Sequence, residues 1–537
     1  MAARPAVHAP APARPWTLAP SLPARAAFQG RQARTTVVVT STNNQQPRHD
    51  VAAVQPLSNA GTEQRSAKTA PTLHPLTATP YPWLQNWYPV GVVEDLPNDR
   101  PTPVTIFGRK LVLWRDAAGA PAARWRCFSD ECPHRMAPLS EGRIDGAGRL
   151  QCSLHGWSFD GDGRCASVPQ VADAARTCAS RRACAAAFPT AEAHGLVFVW
   201  PDATPGAAQQ AAATPLPIPP ELLGEGNGEG ESRYEHAGGG WFVRLMPHDF
   251  TTTLENFVDP AHAPFAHHGT AVGTREEALP FHLAVEGKVT LEGGFHASCG
   301  APTRHLGVGP AGFAFRPPCC MVNWFTLGSG QAMLLVGFMV PASPGCTRLI
   351  RATFAERRGN PGLAGLLQQA VPRWLAHLTL HDILDGDTVL LHYQERHLEQ
   401  ARKGWRSCFM ATSADGAALA LRRWLELAGG PAGIPWAGRS GSLPPAEPSK
   451  RVLLDRLSSH TEHCSACSGA LRTLRRARTA GLSAAIASTA VAVWLPSEGT
   501  TTAATALAAA FGVALAAAAH WAEPQFVFVD FSHPDNH

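Results

Sequence analysis

Leu254-Glu-Asn-Phe-Val-Asp-Pro-Ala-His-Ala-Pro-Phe-Ala-His-His-Gly269 places Asp259, His262 and His267 at D-x-x-H-x4-H spacing. Two imidazoles about one helical turn apart can turn their nitrogens toward one ion, and imidazole suits iron, zinc or copper. Alone, a histidine pair is more often a satisfied core or surface feature. The weighing changes upstream. Cys132-Pro-His134 is followed, after seventeen intervening residues, by Cys152-Ser-Leu-His155.

That C-x-H and C-x2-H pair is the ligand set of a Rieske [2Fe–2S] centre, with two thiolates on one iron and two imidazoles on the other. A zinc ribbon would want C-x2-C at both ends. Rieske proteins of cytochrome complexes carry an extra cysteine pair beside the ligands; here Ala137 and Leu154 stand there, so the cluster resembles the oxygenase type. A one-electron cluster followed by a two-histidine site is the order expected where the cluster supplies an oxygen-activating iron.

Working outward, 537 residues suggest several units, and a formal charge of +4 is too small to support a nucleic-acid partner. Thirteen scattered cysteines do not look like a secreted disulfide framework and point to a reducing compartment. Residues 1–49 contain no Asp or Glu and six arginines among Ala, Pro, Ser and Thr, the composition of an organelle transit peptide. Residues 50–79 read as a linker. Order should begin near Tyr81, and short β-type runs at 104–107, 110–114, 125–128 and 196–200 predict an all-β Rieske domain over 80–200. Both cluster motifs fall on its loops.

A linker is expected at 201–232. An α+β catalytic domain follows at 233–428, with a helix around Leu254–His267 and strands at 332–340 and 347–354. Its later part should be helical at 362–395 and 417–427. Residues 429–450 read as a further linker, and 451–478 as a C-x2-C segment. Arg472, Arg475, Arg476 and Arg478 then precede two uncharged runs, 479–496 and 501–522, split by a polar turn. These predict a transmembrane helical hairpin over 479–522 with both ends on the positive side, and a tail at 523–537. A soluble hairpin is the alternative, since the runs are rich in alanine.

His460-Thr-Glu-His463-Cys464-Ser-Ala-Cys467 is a third constellation; if helical, positions 460, 463, 464 and 467 share one face. C-x2-C in a reducing organelle reads first as a redox pair, Cys464 with Cys467, for which thioredoxin is a candidate partner. A small Cys2His2 metal site and two idle thiols are the other readings.

Together the Rieske motif, the Asp-Pro-Ala-His segment, the C-x2-C and the terminal hairpin resemble the chloroplast pheophorbide a oxygenase family. A protochlorophyllide-dependent oxygenase and a translocon-associated Rieske protein are its relatives; chlorophyllide a oxygenase is more distant. The resemblance covers roughly Tyr81 to Trp521. It implies a helix-grip catalytic domain holding mononuclear Fe(II) by His262, His267 and one downstream carboxylate, a facial triad with open positions for O2. His268 is an alternative to His267. The segment His381–Gln394 resembles the family's D-x6-Q ending, which selects Asp387 over Asp385 and Asp382.

The resemblance also implies that Asp259 bridges His155 of a neighbouring subunit to His262, in a homotrimeric ring, with Asn256 lining the same route. A carboxylate bonded to both imidazoles would orient them. It further implies a membrane-anchored monooxygenase in the thylakoid or inner envelope, its soluble domains facing the stroma. Substrate would be a chlorophyll-derived tetrapyrrole, with electrons from ferredoxin. No nucleotide-binding G-x-G-x-x-G lies between a strand and a helix, which fits an external donor. Phe281, Phe313, Phe315, Trp324 and Phe325 could line the pocket, although a core role suits each better. A redox-sensing or electron-transfer subunit of an envelope complex is the alternative function, and protochlorophyllide a, chlorophyllide a or a phyllobilin the alternative substrates.

Overall fold

The computed structural model describes residues 81–116, 123–224, 232–270, 273–300, 311–328, 330–357, 371–400, 404–438, 441–494 and 499–533. The expected transit peptide and the linker at 50–79 lie outside the described residues.

The first domain is all β. Its strands are β1 (Tyr88–Val92), β2 (Thr102–Ile106), β3 (Arg109–Arg115), β4 (Trp125–Ser129), β5 (Arg143–Ile144), β6 (Leu150–Gln151), β7 (Ser158–Phe159), β8 (Cys165–Ser167), β9 (Ala187–Phe188), β10 (Thr190–Ala193) and β11 (Leu196–Val199). They form three sheets, β1-β11-β10, β2-β3-β4-β9 and β5-β6-β7-β8. The last sheet has strands of two or three residues and works as a mount. The Cys132 loop runs from β4 to β5, and the Cys152 loop joins β6 to β7. Val112, Trp114, Phe128, Leu139, Leu150 and Phe159 pack with both thiols in one buried cluster.

The expected linker at 201–232 contains a packed helix, α1 (Ala207–Ala213), with Ala207 and Ala211 buried. The Trp87 indole N–H donates to the carbonyls of Ala211 (3.3 Å) and Thr214 (3.0 Å), seating this helix on the β domain.

The second domain is α+β. Its strands are β12 (Tyr234–His236), β13 (Phe242–Met246), β14 (Leu283–Thr290), β15 (Gly294–Cys299), β16 (Ala311–Arg316), β17 (Cys320–Thr326), β18 (Ala332–Ser343) and β19 (Cys346–Glu356). They make an antiparallel sheet ordered β12-β19-β18-β17-β16-β15-β14, with β13 also on β19. Its helices are α2 (Phe250–Phe257), α3 (Ala263–Ala266), α4 (Arg373–Gln400) and α5 (Gly416–Leu427). In α5, Ala417, Ala420, Leu421, Trp424 and Leu425 recur at helical spacing and are buried. Their face packs on β14 and β15.

The two domains share one core. Phe107 and Gly108 donate backbone N–H groups to the carbonyls of Pro341 and Ala342, at 2.8 and 2.6 Å. The segment read as a linker at 429–450 straps this junction: Ala437 N–H donates to Phe107 O at 2.7 Å, and Trp436 packs on Phe107 and Phe250. Gly108, at φ +74°, faces the Ala437 carbonyl so closely that a Cβ would stand 3.1 Å from it.

One expectation is corrected: the helix around Leu254–His267 is two helices. Pro260 cannot donate an N–H and drives Asp259 out of the helical region. Asp259 Oδ1 instead accepts the Ala261 N–H at 2.9 Å, closing a turn.

The C-terminal helices α6 (Ser465–Trp494) and α7 (Gly499–Ala522) form an antiparallel hairpin. Gly481 and Gly512 meet at its crossing, where a Cβ on either would come within 2.5 Å of the other's carbonyl oxygen. At the base, Arg478 pairs with Glu523 at 2.8 Å. The expected pair of membrane spans reduces to one: among the described residues, one helix, Ala503–Phe526, is long and apolar enough to cross a membrane, with mean hydropathy 1.7. Four arginines occupy the first half of α6.

Candidate active site

Both cluster loops are built alike. Cys132 N–H donates to Ala137 O and Met136 N–H returns to Cys132 O, each at 2.8 Å; Cys152 N–H donates to Trp157 O at 2.8 Å and Gly156 N–H to Cys152 O at 3.0 Å. The turn residue has positive φ in both loops, 58° at Met136 and 72° at Gly156. This construction carries the two thiols inward side by side, where burial pushes Cys132 up to about 11. The His134 and His155 rings stand 4.5 Å apart, and Trp157 stacks on His134 at 4.8 Å. His134 Nδ1 is buried with no hydrogen-bond partner. Two buried thiols, two adjacent imidazoles and an orphaned ring nitrogen fit a [2Fe–2S] cluster of the Rieske type.

The ends of α3 build the second site. On one continuous helix, residues five apart lie about 140° apart around the axis and cannot converge. α3 is only four residues long and is flanked by the two histidines, and His267 has left helical geometry at φ −107°, ψ 22°, so His262 Nε2 and His267 Nε2 stand 3.2 Å apart. Asp387 on α4 completes the group, 3.8 Å from His262 Nε2 and 3.5 Å from His267 Nε2. The three donor atoms lie within 4.8 Å of one another and fit a mononuclear metal.

The three candidate aspartates are separated by their partners. Asp385 is buried between two arginines, with Arg244 Nη1 at 2.7 Å and Arg456 Nε and Nη2 at 2.9 and 2.7 Å. Asp382 accepts from Arg456 at 2.7 Å and is half-exposed. Asp387 faces the histidines. His268 turns away, its Nδ1 accepting the Arg275 N–H at 3.0 Å. Burial raises Asp387 to about 6, against the opposing pull of the His262 charge and a hydrogen bond from Asn256. His267 is lowered to about 3 by burial, reinforced by His262. Asp259 reaches His262 Nδ1 only at 3.8 Å, an ion-pair distance rather than a hydrogen bond, and its side chain is 38% exposed.

Gly386 is a site residue that motif spacing does not flag. A Cβ there would stand 2.6 Å from the Ala266 carbonyl and 3.2 Å from His267 Nδ1. The tail closes over the same point, with His533 Nε2 3.1 Å from Gly386 O.

A cavity of about 340 Å³ adjoins the triad, lined among others by Asn256, Asp259, His262, Asp387, Leu390 and Trp405. Trp405, Cys408 and Met410 also line a larger cleft of about 1310 Å³. None of the five aromatics considered from sequence lines either space. Phe313 and Phe315 belong to the buried core.

The C-x2-C residues come together differently from the single helical face expected. His463 is exposed on a turn, and His377 from α4 takes its place beside His460, Cys464 and Cys467.

A family model described as Rieske [2Fe-2S] domain matches residues 86–184, and one described as Pheophorbide a oxygenase matches residues 315–405. The chain is 35% identical over 479 residues to the chloroplastic pheophorbide a oxygenase of Oryza sativa subsp. japonica, covering 84% of this chain and 85% of that one. The Arabidopsis thaliana protein of that name is 33% identical over 483 residues, covering 85% and 84%. Flavonoid 8-hydroxylase 2, chloroplastic, of Ocimum basilicum is 32% identical over 420 residues, covering 73% and 75%.

Proposed function

This chain belongs to the pheophorbide a oxygenase family of Rieske non-haem iron monooxygenases, and from that premise we propose that it oxygenates a chlorophyll-derived tetrapyrrole, pheophorbide a foremost, opening the macrocycle with electrons from ferredoxin. It is a chloroplast protein, as its relatives are. The observation that carries the proposal is the convergence of His262, His267 and Asp387 beside a cavity, with Asp385 committed to its arginines. A pure electron relay needs no second metal site, which disfavours the electron-transfer alternative.

Cys132, Cys152, His134 and His155 would hold the cluster, and His262, His267 and Asp387 the iron. When bound, the cluster supplies electrons one at a time and the iron activates O2. The chain's own part is placement. Asn256 lines the cavity beside Asp387 and favours its charged form. Asp259 attracts the Nδ1 side of His262, favouring the tautomer that leaves Nε2 free for the metal. The cavity and the wider cleft beside it suit a large flat substrate, with Trp405 and Met410 as apolar walls.

The hairpin anchors the chain in a thylakoid or inner-envelope membrane, soluble domains facing the stroma. Ile486, Val493, Leu507 and Phe511 on its outer face are exposed, as lipid contact requires. Three copies form a ring in which one chain's cluster serves the next chain's iron. Supporting this, Met136 and Leu154 at the cluster-loop tips are 67% and 58% exposed, and Phe265 beside the iron ligands is 56% exposed.

A flavonoid is the second substrate reading, carried by the likeness to the Ocimum basilicum protein. Oxygen uptake and product analysis with reduced ferredoxin distinguish the candidates, using pheophorbide a, protochlorophyllide a, chlorophyllide a, a phyllobilin and a flavone. The proposal expects oxygen-dependent consumption of pheophorbide a. Turnover of the flavone with every tetrapyrrole untouched would overturn it.

A further inference from the structure

His377, His460, Cys464 and Cys467 are all buried, and their donor atoms lie within 4.8 Å of one another. His460 Nε2 is 3.2 Å from Cys467 Sγ; His377 Nδ1 is 3.5 Å from Cys464 Sγ and 3.6 Å from Cys467 Sγ. A tetrahedral ion about 2.3 Å from sulfur and about 2.05 Å from nitrogen sets such donors about 3.5 Å apart.

The outer nitrogens fix the tautomers. His377 Nε2 lies 2.8 Å from the Gly239 carbonyl, and His460 Nδ1 lies 2.6 Å from the Val243 carbonyl. A carbonyl oxygen only accepts, so each of these nitrogens carries the proton. The lone pairs of His377 Nδ1 and His460 Nε2 are thereby turned toward the two sulfurs. Carbonyl partners of this kind are how proteins orient metal-binding imidazoles. Gly239 reaches its histidine because it lacks a side chain: at φ +76° a Cβ would stand 2.8 Å from Ala376 Cβ.

We infer that this cluster is a structural zinc site, Cys2His2, separate from the oxygen-activating centre. Cys464 and Cys467 are 2% and 0% exposed, which keeps them from the surface contact that a thiol–disulfide partner needs. Zinc here joins three elements: α4 through His377, the turn before α6 through His460 and Cys464, and the first turn of α6 through Cys467. The same junction is closed outside by Asp95, which accepts the Ser465 N–H at 2.8 Å and pairs with Arg373 at 2.6 Å. The ion would lock the root of the hairpin to the helix that carries Asp387, about 15 Å further along at 1.5 Å per residue.

Zinc analysis of the full chain tests this, with His262 and His267 both changed to Ala so that the other site cannot contribute. The expected result is about one zinc per chain with a mixed sulfur and nitrogen shell by X-ray absorption. Adding Cys464→Ser and Cys467→Ser should remove that zinc while the cluster's electron spin resonance signal stays. If the four-fold variant does not fold, the shell measured in the parent decides. A chain supplied with zinc that binds none, zinc retained without the cysteines, or a shell lacking sulfur would each overturn the inference.

Discussion

Arg456 donates Nε and Nη2 to a single carboxylate oxygen of Asp385, at 2.9 and 2.7 Å, with both side chains in the core. Asp385 also meets buried Arg244 at 2.7 Å. Asp385→Ala therefore strips Arg244 of its carboxylate and leaves Arg456 only Asp382 and the Gln525 carbonyl, and breaking a buried pair costs about 3–5 kcal/mol. Asp387→Ala removes a carboxylate whose ionisation burial already opposes, so the fold should hold. Thermal unfolding should drop sharply for the 385 variant only. Iron analysis should show loss of the mononuclear metal, with the cluster retained, in the 387 variant.

Gly386→Ala inverts the usual helix rule. Alanine favours a helix over glycine by about 1 kcal/mol. Here the new Cβ would press the Ala266 carbonyl and His267. Iron affinity should fall at least tenfold while the cluster spectrum is unchanged. Iron binding equal to wild type would remove the close approach from the account.

Iron loading should depend on pH through Asp387, raised by burial to about 6. Below that pH the carboxyl keeps its proton and the metal must displace it, so affinity falls up to tenfold per pH unit. In the metal-free chain the sign for stability follows from proton binding. The folded state holds this proton more tightly than the unfolded state, so this group's contribution declines as pH rises from about 4 to about 6, then levels. Asp387→Asn should lack that decline when metal-free unfolding is followed across the range.

Asp259→Asn should keep both metals, because Asp259 lies 3.8 Å from His262 Nδ1 and outside the donor group. Electron transfer from cluster to iron should slow by orders of magnitude. In mixed oligomers, a His155→Ala chain and a His262→Ala chain should together regain activity that neither has alone. No recovery in oligomers shown to contain both chains would exclude transfer between subunits.

Much of the site was legible because metal ligands come in fixed types at short spacing. Cys132, His134, Cys152 and His155 sit on two tight loops, so spacing carries the geometry. His262 and His267 are legible by spacing as well, though they converge because α3 is a single turn that ends at His267 rather than part of a continuous helix. Long-range partners were hidden. His377 stands 83 residues before His460 in the chain, and the two meet only after α4 packs under the hairpin. Along α4 the buried side chains include His377, His381, Asp385, Thr388, His392 and Glu395. Buried positions filled by polar side chains give no sign in the sequence of what they pack against, so the helix expected over 362–395 carries no hint of its partners. α1 and the strap around Trp436 read as linker for a similar reason: short alanine and aromatic contacts, without periodicity, hold them down.

His262, His267 and Asp387 would hold the iron at which the cluster's electrons are spent. Single-turnover mixing tests this most directly: chain reduced without oxygen, then exposed to O2 and pheophorbide a with no ferredoxin. In the wild type the cluster should reoxidise rapidly and in step with product formation. In Asp387→Ala, with its cluster intact, reoxidation should be slow and product absent. Product formed by Asp387→Ala at the wild-type rate would contradict the account.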